Sequence, residues 1–314
     1  MASLRVPSEV AAAGPALVRD LISGPVRPVD VLGRFATALY LRLAGGEVIA
    51  LLSSDAVRLP IGLILPTSSR GIPLTCLNGP VAVGSGAVHI GSWSCRVSRL
   101  VSLRAPAALT PDRYACEHLQ RRLAYCEAAD PELRLPDALL EVAHSPDVAA
   151  DVVERLLGVG PGLTPAGDDV LAGLLVGLWS FGHRAEPLRL TVLAGLATGT
   201  TDLSAALLRC AARGESIPQV NQLLRTMSGS AWLGRVDHAM DDLVRVGHTS
   251  GTALATGVLA AATMAIGRPS SGNLVEPVTT LRNEPGETRL SAPAFCASSA
   301  PRQRLAARPG WPAG

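Results

Sequence analysis

The sequence predicts an α+β protein, with a β-rich N-terminal portion followed by a mainly helical C-terminal portion whose helices open at Gly-rich loops. Residues 46 to 104 alternate short apolar runs with Gly and Pro, as in "EVIALLSS", whereas residues from about 112 onward place apolar side chains at helical spacing. We therefore divide the chain into 1–111, 112–267 and a tail, 268–314, whose Pro, Ser, Gly and Arg content predicts disorder. The sequence leaves open whether the first two portions form one domain or two.

In the N-terminal portion, residues 8–23 are predicted to form a short helix interrupted at Gly14-Pro15. The runs that follow are rich in β-branched residues and punctuated by Gly and Pro, which favours strands of a mainly antiparallel sheet. The segment "VAVGSGAVHI" predicts a hairpin that turns at Gly84-Ser85-Gly86.

The helical portion has clear start and stop signals. In "SPDVAADVVERLLG", Ser145 is the predicted N-cap, Pro146 occupies the first helical position and Gly158 ends the helix. Its apolar face comprises Val148, Val152 and Leu156. Further helices are predicted at 168–182, 188–197, 202–213, 218–227, 231–246 and 251–266.

Composition excludes several classes of function. All 28 basic residues are arginine, so the chain has no lysine for a Schiff base or a phosphate loop. A net charge of +2 gives no reason to expect nucleic acid or an anionic membrane as a partner. The six cysteines are scattered along the chain, which predicts free thiols in a reducing compartment. The longest apolar runs are shorter than the ~20 residues that a membrane span needs. We expect a cytoplasmic protein.

The stretch "GVGPGLTPAGDDVLAGLLVGLWSFG", residues 158–182, predicts a ligand site where a loop meets a helix. Gly160, Gly162 and Gly167 permit unusual backbone angles, while the prolines restrain the loop. Free N–H groups and the positive end of the helix dipole would then face a phosphate or carboxylate. The alternative is a plain helix entry, in which the acids at 168 and 169 only complement the dipole.

Asp168 and Asp169 lie at the start of this helix and would repel a bare anion. They are compatible with an anionic ligand if a divalent cation such as Mg²⁺ bridges them, or if one of them handles a proton. We therefore predict both as catalytic residues and as candidate metal ligands.

Two more helix entries share this design. "TGTTDLSAALLRCAARG" begins at residue 198 and "GHTSGTALATGVLAAATMAIG" at residue 247, and both place small hydroxyl side chains at the start of a helix. Ordinary capping explains either entry alone, whereas three such entries together favour a shared pocket for a small anion. His248 is a candidate base or donor. The predicted substrate-binding residues are Gly160, Gly162, Thr164, Gly167, Thr200, Thr201, Ser204, Thr249, Ser250 and Gly251.

These three motifs, in this order and at these separations, resemble the AllH-like family, which is associated with the oxamate carbamoyltransferase of anaerobic allantoin degradation. The resemblance covers roughly residues 30 to 267 and is strongest from 155 onward. It implies a subunit that works with partner subunits on carbamoyl phosphate and oxamate, giving oxalurate and phosphate, or on the reverse reaction. The carbamoyltransferase phosphate motif Ser-Thr-Arg-Thr-Arg is absent from the sequence, so any such chemistry uses another scaffold.

Two other hypotheses remain open at this point. One is a non-catalytic subunit that binds an anion for assembly or regulation, and the other is a purely structural helical domain whose glycines serve close packing. Replacement of Asp168 or Asp169 by Asn distinguishes a catalytic subunit from a non-catalytic anion-binding subunit. It should abolish turnover in the catalytic subunit and change only affinity or assembly in the anion-binding subunit.

Overall fold

A computed structural model describes residues 9–129, 146–183, 185–229 and 233–267 of the chain. All of them fall within one compact unit, Met1–Ser270. The predicted tail and the predicted N-cap Ser145 lie outside the described residues. Within them, strands occupy the N-terminal part and helices follow, so the prediction of an α+β protein is confirmed.

The sheet contains nine strands within the described part of the chain, in the order β2-β7-β8-β9-β1-β6-β5-β4-β3. Six of the pairings are antiparallel, while β1–β9 and β5–β6 are parallel. The strands are β1 (Glu9–Gly14), β2 (Arg27–Pro28), β3 (Asp30–Arg34), β4 (Ala38–Arg42), β5 (Val48–Leu52), β6 (Gly62–Ile64), β7 (Val81–Gly84), β8 (Ala87–Ile90) and β9 (Trp93–Leu100).

The sheet is nearly closed. Strands β2 and β3 lie at its two edges, yet only Val29 separates them along the chain. The sheet therefore curves until its edges almost meet. Its inner face surrounds one apolar core, and the outer face of β4 and β5 packs toward the helices.

Strand β5 is buried on both faces, which explains its uninterrupted apolar sequence. Ile49 and Leu51 pack inside the curved sheet. Val48, Ala50 and Leu52 point the other way and pack with residues of the helix that begins at Asp202. This second contact places the sheet beside the helix entries.

The hairpin prediction is confirmed, since β7 and β8 pair directly and Ser85-Gly86 form the turn between them. The helix predicted over residues 8–23 is wrong in its first half. Residues Glu9–Gly14 form β1, and only Ala16–Leu21 are helical. Pairing on both sides, parallel to β9 and antiparallel to β6, outweighs the helix propensity of the three alanines.

The predicted helices are present, with small shifts of their ends. The helices of the described residues are α1 (Ala16–Leu21), α2 (Arg113–Ala129), α3 (Pro146–Leu156), α4 (Ala166–Ser180), α5 (Glu186–Gly199), α6 (Asp202–Ala211), α7 (Pro218–Thr226), α8 (Leu233–Val244) and α9 (Ser250–Ile266). None of the helices in these ranges is long and apolar enough to cross a membrane.

Helices α4 and α9 form the centre of the helical core, and glycines let their backbones approach closely. A Cβ atom on Gly173 would lie 2.1 Å from the carbonyl oxygen of Leu254, and one on Gly257 would lie 2.1 Å from that of Val170. Both distances are far below any real Cβ contact, so only glycine fits there. This packing fixes the N-terminus of α4 beside that of α9.

Candidate functional site

The three predicted helix entries converge on the loop that precedes α4. The hydroxyl of Thr201, at the start of α6, donates to the carbonyl oxygen of Leu163 at 2.6 Å. The hydroxyls of Thr164 and Ser250, at the starts of α4 and α9, lie 3.4 Å apart. Sequence positions separated by up to 86 residues are thus brought together around one loop.

The buried side chain of Asp168 links these segments by hydrogen bonds. Its side chain is 1% exposed and accepts three hydrogen bonds. The backbone N–H of Gly158 donates to Oδ1 at 2.7 Å, the hydroxyl of Ser204 donates to Oδ2 at 2.6 Å, and the hydroxyl of Thr200 also donates to Oδ2. Because a buried carboxylate needs such donors, Asp168 ties the loop and α6 to α4.

Asp169 has a different environment, although it is the next residue. It is 7% exposed, and its Oδ2 atom is buried without a hydrogen-bond partner among the described residues. Burial raises the pKa of this carboxyl from 3.8 to about 7; a hydrogen bond with Ser250 opposes the rise, and the neighbouring Asp168 adds to it. A carboxyl that titrates near neutral pH can both accept and donate a proton, as general acid–base catalysis requires.

Asp169 lines a cavity of about 210 Å³ between the sheet and the helices. This volume suits a small ligand and lies below the ~300–1,000 Å³ of pockets for drug-sized molecules. Most of the lining is apolar. The lining residues are Tyr40, Val57, Leu59, Pro60, Thr164, Asp169, Ala172, Leu203, Leu207, Ala211, Glu215, Ser216, Ile217, Val246, Gly247, Ser250 and Leu254.

The glycine loop itself is exposed, and its backbone angles match its sequence. Gly160 and Gly162 have φ angles of +117° and +93°, which side-chain-bearing residues rarely adopt. The N–H groups at the start of α4 are engaged within the loop: Gly167 donates to the carbonyl of Val159, and Asp168 and Asp169 donate to that of Pro165. Anion binding by these N–H groups therefore stays a prediction, and in this arrangement it would have to compete with backbone partners.

The remaining predicted residues occupy the rim or the packing around the site. His248 is exposed and, within the described residues, is not part of the cavity lining. Thr249 is the N-cap residue of α9 without a side-chain capping bond. Gly167 and Gly251 are packing positions, since a Cβ atom would lie 2.0 Å from the carbonyl oxygen of Leu156 and 1.9 Å from that of Leu243, respectively.

Several lining residues were not predicted as site residues. Tyr40 comes from β4, where its position on the helix-facing side follows from strand alternation once the sheet is known. Glu215 follows Gly214 in the turn after α6, and its buried Oε2 atom has no hydrogen-bond partner in the part of the chain that the structure describes. A single acid in a turn matches no motif, so no sequence signal identifies it.

Asp168 and Asp169 differ as candidate metal ligands. Three protein donors already occupy the oxygens of Asp168, whereas Asp169 retains one unpartnered oxygen. Within the described ranges, no group of three or more His, Cys, Asp and Glu side chains is arranged to hold a metal ion. Bridging of the two carboxyl groups by Mg²⁺ stays a prediction.

Comparison with known protein families matches the segment in which the three helix entries lie. Residues 156–262 match the model of the family described as oxamate carbamoyltransferase subunit AllH. The match covers about a third of the chain and confirms the resemblance in that segment. No solved structure matches the chain.

The AllH match coincides with the convergent helix entries. It begins at Leu156, the last residue of α3, and ends inside α9. Asp168, Asp169 and Ser250 therefore lie in the AllH segment, whereas Tyr40 and the 57–60 segment of the cavity wall lie outside it.

Proposed function

We propose that this chain is a subunit of an oxamate carbamoyltransferase-type enzyme, which converts carbamoyl phosphate and oxamate to oxalurate and phosphate, or catalyses the reverse. The observation that carries the proposal is the AllH match over the segment that supplies Asp169 and Ser250 to the cavity. Because the family is described as a subunit, partner subunits complete the enzyme.

Carbamoyl transfer needs three tasks to be performed together. The amide nitrogen of oxamate forms a bond to the carbonyl carbon of carbamoyl phosphate, the bond from that carbon to the phosphate oxygen breaks, and the nitrogen loses a proton. In this proposal the Asp169 carboxylate accepts the proton, since its pKa of about 7 allows it to be ionised at the start and protonated at the end. Phosphate leaves as the anion.

Hydroxyl groups around Asp169 orient the reactants. The Ser250 hydroxyl interacts with the Asp169 carboxyl, lowering its pKa, and lies 3.4 Å from the Thr164 hydroxyl, so both hydroxyls are near the reacting proton. Asp168 is a positioning residue: its three hydrogen bonds hold the loop and α6 against α4. The phosphate group is assigned to the exposed loop around Gly160 and Gly162 or to a partner subunit.

A second candidate function is a non-catalytic subunit that binds an anion for assembly or regulation. One observation counts against catalysis in the cavity and so favours this candidate, with the anion bound at the exposed loop around Gly160 and Gly162: none of the described residues that line the cavity is cationic. A cavity without a cation offers little stabilisation to a phosphate leaving group.

The test is turnover by the native complex, isolated with a tag on this chain and assayed for carbamoyl phosphate formed from oxalurate and phosphate. Removal of a general base costs about 10²–10⁴ in rate, so Asp169→Asn should lower kcat by at least about 100-fold. The matched control is Asp20→Asn, which changes an exposed carboxyl on α1 and should leave kcat unchanged.

Both variants are checked for assembly by the amounts of partner subunits recovered with the chain. An assembled Asp169→Asn complex that keeps wild-type kcat excludes the catalytic proposal and favours the assembly subunit. A wild-type complex without any oxalurate-dependent activity excludes the reaction itself.

A further inference from the structure

Two residues that line the cavity each carry a carboxyl oxygen that accepts no hydrogen bond from the described part of the chain. These oxygen atoms are Oδ2 of Asp169, on the first turn of α4, and Oε2 of Glu215, in the turn after α6. Both atoms are buried, and the two residues that carry them line the same cavity. A buried acceptor without a donor costs about 1–3 kcal/mol, so such a pair favours a ligand that brings donors.

The charges around these atoms restrict the kind of donor. The nearest ion-pair contact of Glu215 is the guanidinium of Arg213, 3.8 Å from Oε2, which is beyond hydrogen-bond distance. Arg213 is not itself part of the cavity lining, and in the described part of the chain no cationic residue lines the cavity. An anionic group inside the cavity would thus face two carboxyl groups across a mostly apolar lining, and Arg213, the cation beside Glu215, lies outside that lining.

We propose that the cavity selects the uncharged, N–H-bearing end of its substrate, a primary amide, carbamoyl or ureido group, and that Asp169 and Glu215 accept its hydrogen bonds. A primary amide carries two N–H donors and no charge, which matches two unpartnered acceptors. The charged end of the substrate points out of the cavity. Glu215 is then a specificity-determining residue, and this inference rests on the proposed function because it concerns the same site.

The orientation makes Glu215 the residue that separates an amide from a carboxylate. Sites built to hydrogen-bond a substrate N–H or O–H reject the analogue that lacks it by factors of up to about 10⁴–10⁵, since their buried polar groups are left unpaired. Oxamate and oxalate are a suitable probe pair, because they have the same shape and differ in one group, an amide in oxamate and a second carboxylate in oxalate.

The experiment measures the Kd of each probe for the full-length chain by isothermal titration calorimetry at pH 8. We expect oxamate to bind at least about 100-fold more tightly than oxalate. Glu215→Gln replaces one acceptor oxygen with a donor, so it should weaken oxamate binding by about 10-fold or more. Glu47→Gln, a change at an exposed glutamate in the β4–β5 turn, is the matched control and should leave both Kd values unchanged.

Equal affinity for the two probes, preference for oxalate, or no binding of oxamate up to about 10 mM would overturn the inference. Unchanged oxamate affinity in Glu215→Gln would show that Glu215 does not accept a hydrogen bond from the bound amide. Glu215→Asp, which keeps the charge and withdraws it by one methylene group, is the second variant if Glu215→Gln does not fold; it should weaken oxamate binding less than a full loss of the acceptor.

The outcome is separable from that of the proposed function. Selective oxamate binding without carbamoyl transfer by the complex would support the cavity's selectivity and contradict the enzyme assignment. Carbamoyl transfer by a complex whose chain does not distinguish oxamate from oxalate would support the enzyme assignment and contradict the cavity's selectivity.

Discussion

Replacing Asp169 by Asn should stabilise the protein above neutral pH. The substitution keeps the shape of the side chain and removes a charge that is 93% buried, since only 7% of the residue is exposed. Folding raises the pKa of this carboxyl from 3.8 to about 7. At about 1.4 kcal/mol for each pH unit, ionising it in the folded protein costs about 4 kcal/mol of stability.

The sign follows from proton binding. Between pH 3.8 and about 7 the folded protein holds a proton on Asp169 that the unfolded chain has released, so the wild-type free energy of unfolding falls as pH rises through this window. Above pH 7 both states are ionised and the loss is complete. Asn does not titrate, so the advantage of Asp169→Asn over wild type should be near zero at pH 4 and about 4 kcal/mol at pH 8.

The assay is urea unfolding of both proteins at several values of pH between 4 and 8. The stability difference between the two proteins cancels the contributions of titrating groups that do not interact with Asp169. The neighbouring Asp168→Asn is the matched variant and should behave oppositely at pH 8, losing about 2–4 kcal/mol, because an amide cannot accept from both hydroxyls and the Gly158 N–H. A stability difference between Asp169→Asn and wild type that does not change with pH would refute the reasoning.

Two further predictions concern packing and capping. Gly257→Ala should destabilise the protein by about 1–3 kcal/mol or more, because its Cβ would lie 2.1 Å from the carbonyl oxygen of Val170. The control is Gly267→Ala, where a Cβ meets nothing closer than 3.5 Å. Equal Tm values for the two variants would contradict the close approach of α4 and α9. Thr201→Ala should lower the free energy of unfolding in urea by about 0.5–2 kcal/mol, since the Thr201 hydroxyl caps α6 by accepting from the Ser204 N–H at 3.1 Å. Thr201→Ser keeps the cap. A loss of stability in the serine variant as large as that in the alanine variant would argue against capping.

The helices were the most predictable part of the fold. The sequence predicted a helix over 251–266, and α9 spans Ser250–Ile266, because its start signal and its apolar residues are local features. Strand β1 was missed for the opposite reason: "EVAAAG" becomes a strand only through its partners β6 and β9, which lie far along the chain. Local propensity carries no information about such partners.

The candidate site was predictable in its chain segments and not in its arrangement. The hydroxyl-rich helix entries suggested a shared pocket, and the contacts of Thr201 with Leu163 and of Thr164 with Ser250 show them meeting. The contrast between Asp168 and Asp169 was invisible in the sequence, since it depends on which oxygen atoms meet donors in three dimensions. Glu215 was invisible for the same reason.

The pairing of α4 with α9 has a consequence for synthesis of the chain. Helix α4 is apolar on almost all sides, and its partner α9 is made only after the residues between Ser180 and Ser250 have been added. At ~5–20 residues per second, α4 waits for several seconds without the surface that covers it. The nascent chain therefore exposes a strongly hydrophobic helix before the core can close, which makes this interval the point at which binding by a chaperone would best prevent aggregation.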